Sequence, residues 1–272
     1  MSRAKAPPKS RLDVALVERG LADSSAKAQA LVLAGVVYSG ERRLDKPGLS
    51  IAGDLPLELR GQDHPWVSRG GLKLARALDH FAIDPAGGTW LDIGASTGGF
   101  TDVLLSRGAT RVYAIDVGYG QLAERLRHDD RVVSMERVNA RTLTADTLPE
   151  PVDLAVVDVS FISLGLVLGP IRAILRDGIG PMLALVKPQF EAGKADAKGG
   201  VVRDPEVHRR VLRETVERAS ALGIGMRAVI ASPIQGPEGN REFMAHLQAG
   251  PGCAEIDDRI AEAVAAAWEG AG

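Results

Sequence analysis

The amino-acid sequence predicts an α/β protein in which a small α+β module precedes a mostly parallel sheet covered on both faces by helices. From residue 89 onward, apolar segments of strand length alternate with longer segments of helical periodicity, a pattern typical of buried parallel strands. The 272 residues are enough for one medium-sized domain and a small one. The net charge of −2 is also uneven, with +3 on residues 1–61 and −5 on the remainder. These observations indicate two modules with different partners.

The first module is predicted to contain two short helices followed by small strands. Apolar residues recur at helical spacing over 12–17 and again over 28–32. Asp23 or Ser24 can cap the second helix, because either side chain can accept a hydrogen bond from an unpaired backbone N–H group. Two later segments have the pattern of short strands, at 35–40 and 55–60.

The boundary between the modules is predicted at residue 61, because the segment 61–65 is polar and contains a glycine and a proline. The organisation expected is a module over 1–61, a linker over 62–68 and a larger module over 69–272. Six cations of the first module are candidates for contact with phosphate groups: Arg11, Arg19, Lys27, Arg42, Arg43 and Lys46. The alternative is that these are ordinary solvated surface charges.

The larger module has a regular alternation of elements. Strands are predicted at 89–94, 111–116, 132–135, 153–158, 182–187, 227–232 and 243–247, and helices at 100–107 and 207–222. Charged residues lie at or near the ends of four of these strands, namely Asp92, Asp116, Asp158 and Lys187. Because ligands of such sheets bind outside the carboxyl ends of the strands, the sequence predicts a binding site at this edge.

A glycine-rich loop over 94–100 joins the first strand of the sheet to its helix. Its glycines allow the backbone to approach a ligand, but the spacing is not GxGxxG, which disfavours a dinucleotide. Asp116, about 20 residues further on, stands where an acid binds the ribose hydroxyls of an adenosine cofactor, and Asp92 can meet a cationic group. The pattern favours S-adenosylmethionine over a turn needed only for packing. The predicted cofactor residues are Asp92, Gly94, Ala95, Ser96, Gly98, Gly99, Phe100, Asp116 and Asp158.

Four charged residues each have an ordinary explanation when taken singly. Lys73 can be an exposed residue of a first helical turn, Asp158 an N-cap, Lys187 a surface residue and Glu242 a solvated turn acid. Taken in chain order around the glycine-rich loop, they resemble the Lys-Asp-Lys-Glu tetrad of FtsJ-type ribose 2′-O-methyltransferases.

Longer segments resemble known families. Residues 10–22 and 28–37, with Lys46-Pro47, resemble the S4-type RNA-binding domain, although Ser25 stands where that domain usually has Arg. The whole chain resembles the TlyA family, also labelled hemolysin A, through the segments 66–73, 94–101, 158–163, 186–191, 199–203 and 239–243.

This resemblance implies a Rossmann-like class I methyltransferase with a mostly parallel seven-stranded sheet, preceded by a small α+β S4-type domain. It implies methylation of cytidine 2′-hydroxyls with S-adenosylmethionine as cofactor, and ribosomal RNA or ribosomal subunits as partners. Lys73, Asp158, Lys187 and Glu242 are then the catalytic residues. We expect Lys187 to be the base, which requires its neutral form, favoured by burial and by a second nearby cation.

Other features of the sequence exclude or disfavour further classes of function. A single cysteine excludes an intramolecular disulfide, and five scattered histidines predict no metal site. The first ten residues lack an apolar run, and no stretch approaches the roughly 18 apolar residues of a membrane span, so a cytoplasmic protein is expected. The alternatives are a non-catalytic RNA-binding factor, a membrane-acting hemolysin and a small-molecule methyltransferase. Residues 194–200 are predicted to form a mobile loop that orders over RNA or only connects two elements.

Overall fold

A computed structural model of the chain describes residues 9–61 and 64–269. The chain divides into two compact units, Met1–Arg69 and Gly70–Gly272. The predicted boundary and linker fall partly on residues 62 and 63, which lie outside the described residues. Residues 64–69 belong to the first unit, where His64 is buried and its Nε2 atom lies 3.3 Å from the carbonyl oxygen of Ala34.

The first unit consists of two helices and short strands around a small apolar core. The helices are α1 (Leu12–Glu18) and α2 (Ser25–Ala34), and the strands are β1 (Lys9–Arg11), β2 (Val37–Ser39), β3 (Arg42–Arg43), β4 (Ser50–Ala52) and β5 (Glu58–Leu59). Both predicted helices are confirmed, and Ser24 is the residue that caps α2, since its Oγ atom accepts a hydrogen bond from Lys27 N. Strands β1 and β4 pair with each other and are missing from the prediction.

The second unit is built on a sheet that has seven strands within the described residues, in the order β11–β12–β10–β9–β6–β7–β8. Its strands are β6 (Thr89–Ile93), β7 (Arg111–Asp116), β8 (Val132–Glu136), β9 (Leu154–Val157), β10 (Met182–Val186), β11 (Ile224–Ala231) and β12 (Phe243–Ala249). Its helices are α3 (Gly70–Phe81), α4 (Gly99–Ser106), α5 (Glu124–Arg127), α6 (Gly165–Ile174), α7 (Pro188–Glu191), α8 (Gly193–Asp196), α9 (Pro205–Ala221) and α10 (Ile256–Trp268). The predicted α/β fold with a mostly parallel sheet is confirmed.

The strands are apolar because helices cover both faces of the sheet. Every residue of β10 is buried, and β6 is buried from Trp90 to Ile93. Helix α10 adds Ile260, Ala263 and Val264 to the same core, so the amphipathic C-terminal segment packs against the protein.

Strand β12 runs antiparallel to both of its neighbours. The start of β12 therefore lies beside the end of β10, with Phe243 paired to Val186. One residue beyond this pair, Lys187 follows β10 and Glu242 precedes β12, so the two residues lie opposite each other. The reversal brings an acid from the beginning of a strand to the edge where the parallel strands end.

The segment after β10 differs from its prediction. Residues 194–200 are predicted to be a loop, whereas the chain forms α8 and a 3-10 turn at Lys198–Gly200. Ala195 lies within α8, and Gly193, Gly199 and Gly200 take positive φ angles; this glycine-rich composition concealed the short turns in the sequence.

Candidate active site

Four charged side chains meet at the carboxyl edge of the sheet. Asp158 follows β9, Lys187 follows β10, Lys73 lies on α3 and Glu242 precedes β12. The Nζ atom of Lys187 lies 2.5 Å from Oδ1 of Asp158, and the Nζ atom of Lys73 lies 2.5 Å from Oε2 of Glu242. The four residues singled out from the sequence thus form two ion pairs.

The carboxyl group of Asp158 is affected by the lysines of both ion pairs. Burial alone would raise the pKa of Asp158, but the positive charges of Lys187 and then Lys73 outweigh it and hold this pKa below its usual range. The Asp158 carboxyl is therefore ionised across the neutral pH range. Lys187 also donates a hydrogen bond of 2.7 Å to Ser160 Oγ, which fixes its position at the edge.

Glu242 is enclosed more completely than Asp158. Glu242 is 1% exposed, and its carboxylate accepts hydrogen bonds from Lys73 Nζ and from Gln189 Nε2. The backbone at Gly236 packs directly against this carboxylate, and a Cβ atom on Gly236 would overlap it. The close approach explains why a glycine stands at this point of the loop before β12.

A cavity of about 410 Å³ opens beside the ion pairs. Gly94, Ser96, Asp116 and Asp158 are among its lining residues. The two carboxylate oxygens of Asp116 accept hydrogen bonds from Ser96 N at 2.8 Å and from Gly118 N at 2.7 Å, which holds this acid at the wall. Apolar side chains complete the cavity, among them Ile93, Ile115, Val117, Val138 and Ile162.

Gly94 is required where β6 leaves the sheet. Its φ angle is 81°, and a Cβ atom there would lie 2.5 Å from the carbonyl oxygen of Asp158. Both the left-handed backbone and the contact exclude a larger residue. The glycine thus keeps the ends of β6 and β9 close together at the cavity.

The other predicted cofactor residues lie beneath or beside this cavity. Asp92 is 0% exposed, and its Oδ2 atom accepts hydrogen bonds from the backbone N and the Oγ1 atom of Thr101, which ties β6 to α4. Burial raises the pKa of Asp92 to about 7. Ala95 lines a small adjoining pocket, Gly98 packs against Leu122 and Leu126, and Gly99 and Phe100 are buried at the start of α4.

The predicted RNA-contacting cations of the first unit have different surroundings. Arg11 pairs with Asp13 at 2.8 Å, and Arg19 donates to the backbone carbonyl oxygens of Gly53 and Leu55. Both guanidinium groups are therefore bound within the first unit itself. Of the remaining cations, Lys27 and Arg42 are exposed, whereas Arg43 and Lys46 are half-buried.

Two residues at the site were missed by sequence reasoning. Phe161 is 86% exposed, with a φ angle of 66°, and its ring centroid lies 4.9 Å from that of Phe190. Gln189 contacts the Glu242 carboxylate. Phe161 and Gln189 lie in the segments 158–163 and 186–191 that carry the family resemblance, but the sequence alone gave neither of them a role.

Two kinds of feature are absent from the part of the chain that the structure describes. Residues 9–61 and 64–269 contain no group of three or more His, Cys, Asp or Glu side chains that could hold a metal ion. Over the same residues no helix has the length and apolar character needed to cross a membrane.

Comparison with known proteins identifies the family. The FtsJ-like methyltransferase family matches residues 66–249. The chain belongs to the FtsJ-like methyltransferase family. It is 52% identical over 241 residues to a Bacillus subtilis protein provisionally named rRNA methyltransferase YqxC, covering 88% of this chain and 85% of that protein.

Two further relatives extend the comparison. The 16S/23S rRNA (cytidine-2′-O)-methyltransferase TlyA of Mycobacterium tuberculosis is 47% identical over 243 residues, which cover 88% of this chain and 90% of TlyA. A solved structure from Streptococcus thermophilus, provisionally titled a hemolysin, has a TM-score of 0.76 and 44% identity, and the match covers 97% of each chain. The expected membership of the FtsJ-like and TlyA family is confirmed, and with it the expected enzyme class, a methyltransferase.

Proposed function

We propose that this FtsJ-like methyltransferase transfers the methyl group of S-adenosylmethionine to the 2′-hydroxyl of cytidine in ribosomal RNA. The observation that carries the proposal is the pairing of Lys187 with Asp158 and of Lys73 with Glu242 beside a ligand-sized cavity. The TlyA relative from Mycobacterium tuberculosis, named for this reaction, supports the choice of substrate.

The cavity fits the proposed cofactor. Its volume of about 410 Å³ lies within the range of small-molecule sites. Asp116 would hold the ribose hydroxyls, Asp158 lies where it would face a positive charge, and the apolar wall suits an adenine ring. When bound, S-adenosylmethionine supplies a methyl group that its sulfonium already activates. The remaining task of the protein is to position and deprotonate a hydroxyl group.

Lys187 is the proposed base. It lies at the carboxyl edge between Asp158, which lines the cofactor cavity, and Phe190, whose ring centroid is 5.9 Å from its Nζ atom. A ribose 2′-hydroxyl placed between them would give its proton to the neutral amine of Lys187, and the bound cofactor would supply the methyl group. Asp158 lines the cavity and pairs with Lys187, so it would lie between the bound cofactor and the proposed base.

Lys73 and Glu242 are the proposed positioning pair. Because the Glu242 carboxylate is enclosed, Lys73 is held in one place, and its charge acts on Asp158. Lys73 would orient the ribose hydroxyl groups through its ammonium. Phe161, exposed beside the cavity, would stack on a base of the RNA, since unstacked bases are commonly held on aromatic side chains.

The first unit is proposed to be the S4-type RNA-binding domain. The exposed side chains of Lys27 and Arg42 would contact phosphate groups, while Arg43 and Lys46 would flank them. In this division of work, residues 1–61 contact the RNA, residues 62–68 connect the parts and residues 69–272 carry the reaction. Ribosomal RNA as substrate implies that the protein works in the cytoplasm.

The decisive experiment uses purified full-length protein, methyl-labelled S-adenosylmethionine and separate ribosomal subunits. We expect label on ribose 2′-oxygens of cytidines in at least one subunit, mapped by nuclease digestion and mass spectrometry. Heat-denatured protein and free S-adenosylmethionine provide the background. Absence of label from both subunits, or label only on bases, would overturn the proposed function.

A further inference from the structure

Two segments leave neighbouring parallel strands at the carboxyl edge of the sheet. Residues 158–164 follow β9, and residues 187–191 follow β10. At the strand ends the segments are joined by the ion pair of Lys187 with Asp158. At the opposite ends they are joined by Glu191, the last residue of α7. The proposed base therefore lies on a segment that is held to its neighbour at two points.

The carboxylate of Glu191 is buried and accepts three hydrogen bonds. The Glu191 side chain is 3% exposed. Its Oε1 atom accepts from Leu164 N at 2.6 Å, and its Oε2 atom accepts from Ser163 Oγ at 2.8 Å and from Arg218 at 2.7 Å. A carboxylate has acceptor sites only, so it suits a place where a backbone amide, a hydroxyl and a guanidinium all donate. Both oxygen atoms of Glu191 are thus held by donors from other elements.

The bond to Leu164 fixes the start of α6. Leu164 is the cap residue of this helix, and its side chain makes no capping hydrogen bond. The first amides of a helix have no partner within it, so they need an acceptor from elsewhere. Glu191 supplies that acceptor from the neighbouring segment. The end of residues 158–164 is therefore anchored to the end of residues 187–191.

The position of Glu191 determines that of Lys187 because α7 is a single tight turn. Two backbone hydrogen bonds of 2.9 Å close this turn, one of them from Phe190 N to the carbonyl oxygen of Lys187. A displacement of Glu191 would therefore move Lys187 relative to Asp158 and Ser160, which its Nζ atom contacts on the facing segment. Misplacement of a catalytic group by about 1 Å can lower a rate by about 100-fold.

We propose that Glu191 is a positioning residue for methyl transfer, which sets the spacing of the two segments and so holds Lys187 where it can take up the proton of the ribose hydroxyl. The inference rests on the proposed function and adds a residue to its machinery. Glu191 is not among the residues that line the proposed cofactor cavity, so it acts through Lys187.

The test is Glu191→Gln in the full-length protein, assayed on ribosomal subunits with methyl-labelled S-adenosylmethionine. The amide keeps the side-chain size but replaces one acceptor oxygen with a donor, so the three hydrogen bonds cannot all form. We expect kcat per cofactor-binding site, with sites counted by titration with S-adenosylhomocysteine, to fall about 10- to 100-fold. The dissociation constant of S-adenosylhomocysteine and the KM for the subunits should stay within about twofold, since only the chemical step is affected.

Glu214→Gln is the matched control, because it makes the same chemical change in the other carboxylate that pairs with Arg218. The side chain of Glu214 lies on α9 and is 36% exposed, so kcat should stay within about twofold. Ser163→Ala is a second test that does not depend on the folding of Glu191→Gln. It removes one donor to Glu191 and keeps the ion pair with Arg218, so kcat should fall about 3- to 10-fold, the equivalent of one hydrogen bond.

A kcat per site within about twofold of wild type in Glu191→Gln, or a loss found in the affinities instead of kcat, would overturn the assignment of Glu191 while leaving the proposed function intact. An equal loss in Glu214→Gln would do the same. If Glu191→Gln does not fold, an unchanged kcat in Ser163→Ala overturns the assignment. A wild-type protein that methylates no ribosomal ribose would overturn the proposed function, and this inference with it.

Discussion

The two lysine–carboxylate pairs at the carboxyl edge of the sheet have the same separation but different surroundings. Each joins a lysine Nζ atom to a carboxylate oxygen at 2.5 Å. The side chains of Lys73 and Glu242 are 10% and 0% exposed, whereas those of Lys187 and Asp158 are 11% and 23% exposed. Asp158 lines the proposed cofactor cavity, and Glu242 is closed off by Gly236 and Gln189. One pair is sealed and the other is open at its carboxylate.

This difference is the reason for proposing a positioning role for the sealed pair and a chemical role for the open one. A sealed pair cannot exchange its partners with a ligand, so it holds its lysine in one place. An open pair can share its carboxylate with a bound cation and release its lysine for proton transfer. Removal of one partner should also lower the free energy of unfolding more in the sealed pair, because the remaining charge stays buried.

The largest expected effect comes from changing the lysine of the open pair. Lys187→Ala should lower the rate of methyl transfer by about 10⁴-fold, because the proposed general base is lost. Binding of S-adenosylhomocysteine, measured by calorimetry, should stay nearly unchanged, since Lys187 is not among the residues that line the proposed cofactor cavity.

Lys187→Arg is the companion variant. Arginine keeps the positive charge beside Asp158 but stays protonated at every accessible pH. If Lys187 is the base, both variants are inactive. Recovery of substantial activity by Lys187→Arg would show that only the charge matters and would reverse the roles assigned to the two pairs.

The sealed pair should contribute more to folding than the open one. Glu242→Gln leaves the ammonium of Lys73 buried without its counter-charge, so we expect the free energy of unfolding of the second unit to fall by about 3 kcal/mol. Asp158→Asn should cost less, because Asp158 borders a cavity. Urea unfolding followed through the fluorescence of the fully buried Trp90 measures both.

Asp79→Ala is a suitable surface control. The carboxylate of Asp79 pairs with Arg107 while 59% exposed, so its loss should change stability by less than about 1 kcal/mol. Equal destabilisation by Glu242→Gln and Asp158→Asn would remove the distinction between sealed and open pairs.

The smallest expected effect is on the pH dependence of stability and concerns His208, a buried ionisable residue with aromatic neighbours. His208 is 0% exposed between Phe243 and Trp268, and burial, with the nearby charge of Arg241, lowers its pKa from 6.5 to about 4. As the pH falls below 6.5 the unfolded chain takes up this proton first, so stability decreases between pH 6.5 and 4. The expected loss at pH 5 relative to pH 8 is about 2 kcal/mol.

His208→Phe tests this assignment through the pH dependence of unfolding. The variant should show a flatter dependence between pH 8 and pH 5, whatever its absolute stability. An unchanged slope would mean that other groups account for the acid sensitivity of the second unit.

Much of the second unit could be predicted because its strands are long and apolar. Continuous apolar runs placed Asp116, Asp158 and Lys187 at strand ends, and parallel pairing then brought those ends together. The sequence could not give the direction of β12, on which the position of Glu242 depends. It also could not distinguish Gln189 from any other polar residue after a strand, because its importance comes from a hydrogen bond to a residue 53 positions away.

The first unit was harder to predict for a physical reason. Its strands contain only two or three residues, too few for an alternating pattern to stand out from a turn. Arg19 illustrates the same limit, because nothing local distinguishes a cation that contacts phosphate groups from one that donates to the carbonyl oxygens of Gly53 and Leu55.

The antiparallel placement of β12 determines where the chain tolerates changes in length. Lys187 comes directly after Val186 and Glu242 directly before Phe243. Because Val186 pairs with Phe243, the positions of Lys187 and Glu242 depend on the hydrogen-bond ladder between β10 and β12. Deletion of one residue within β12 would turn its side chains to the opposite faces and carry Glu242 away from Lys73. The turn at the other end of β12, around Gly250, is instead held by hydrogen bonds to Gly223 and Met226, so its length bears on the start of β11 and not on the position of Glu242.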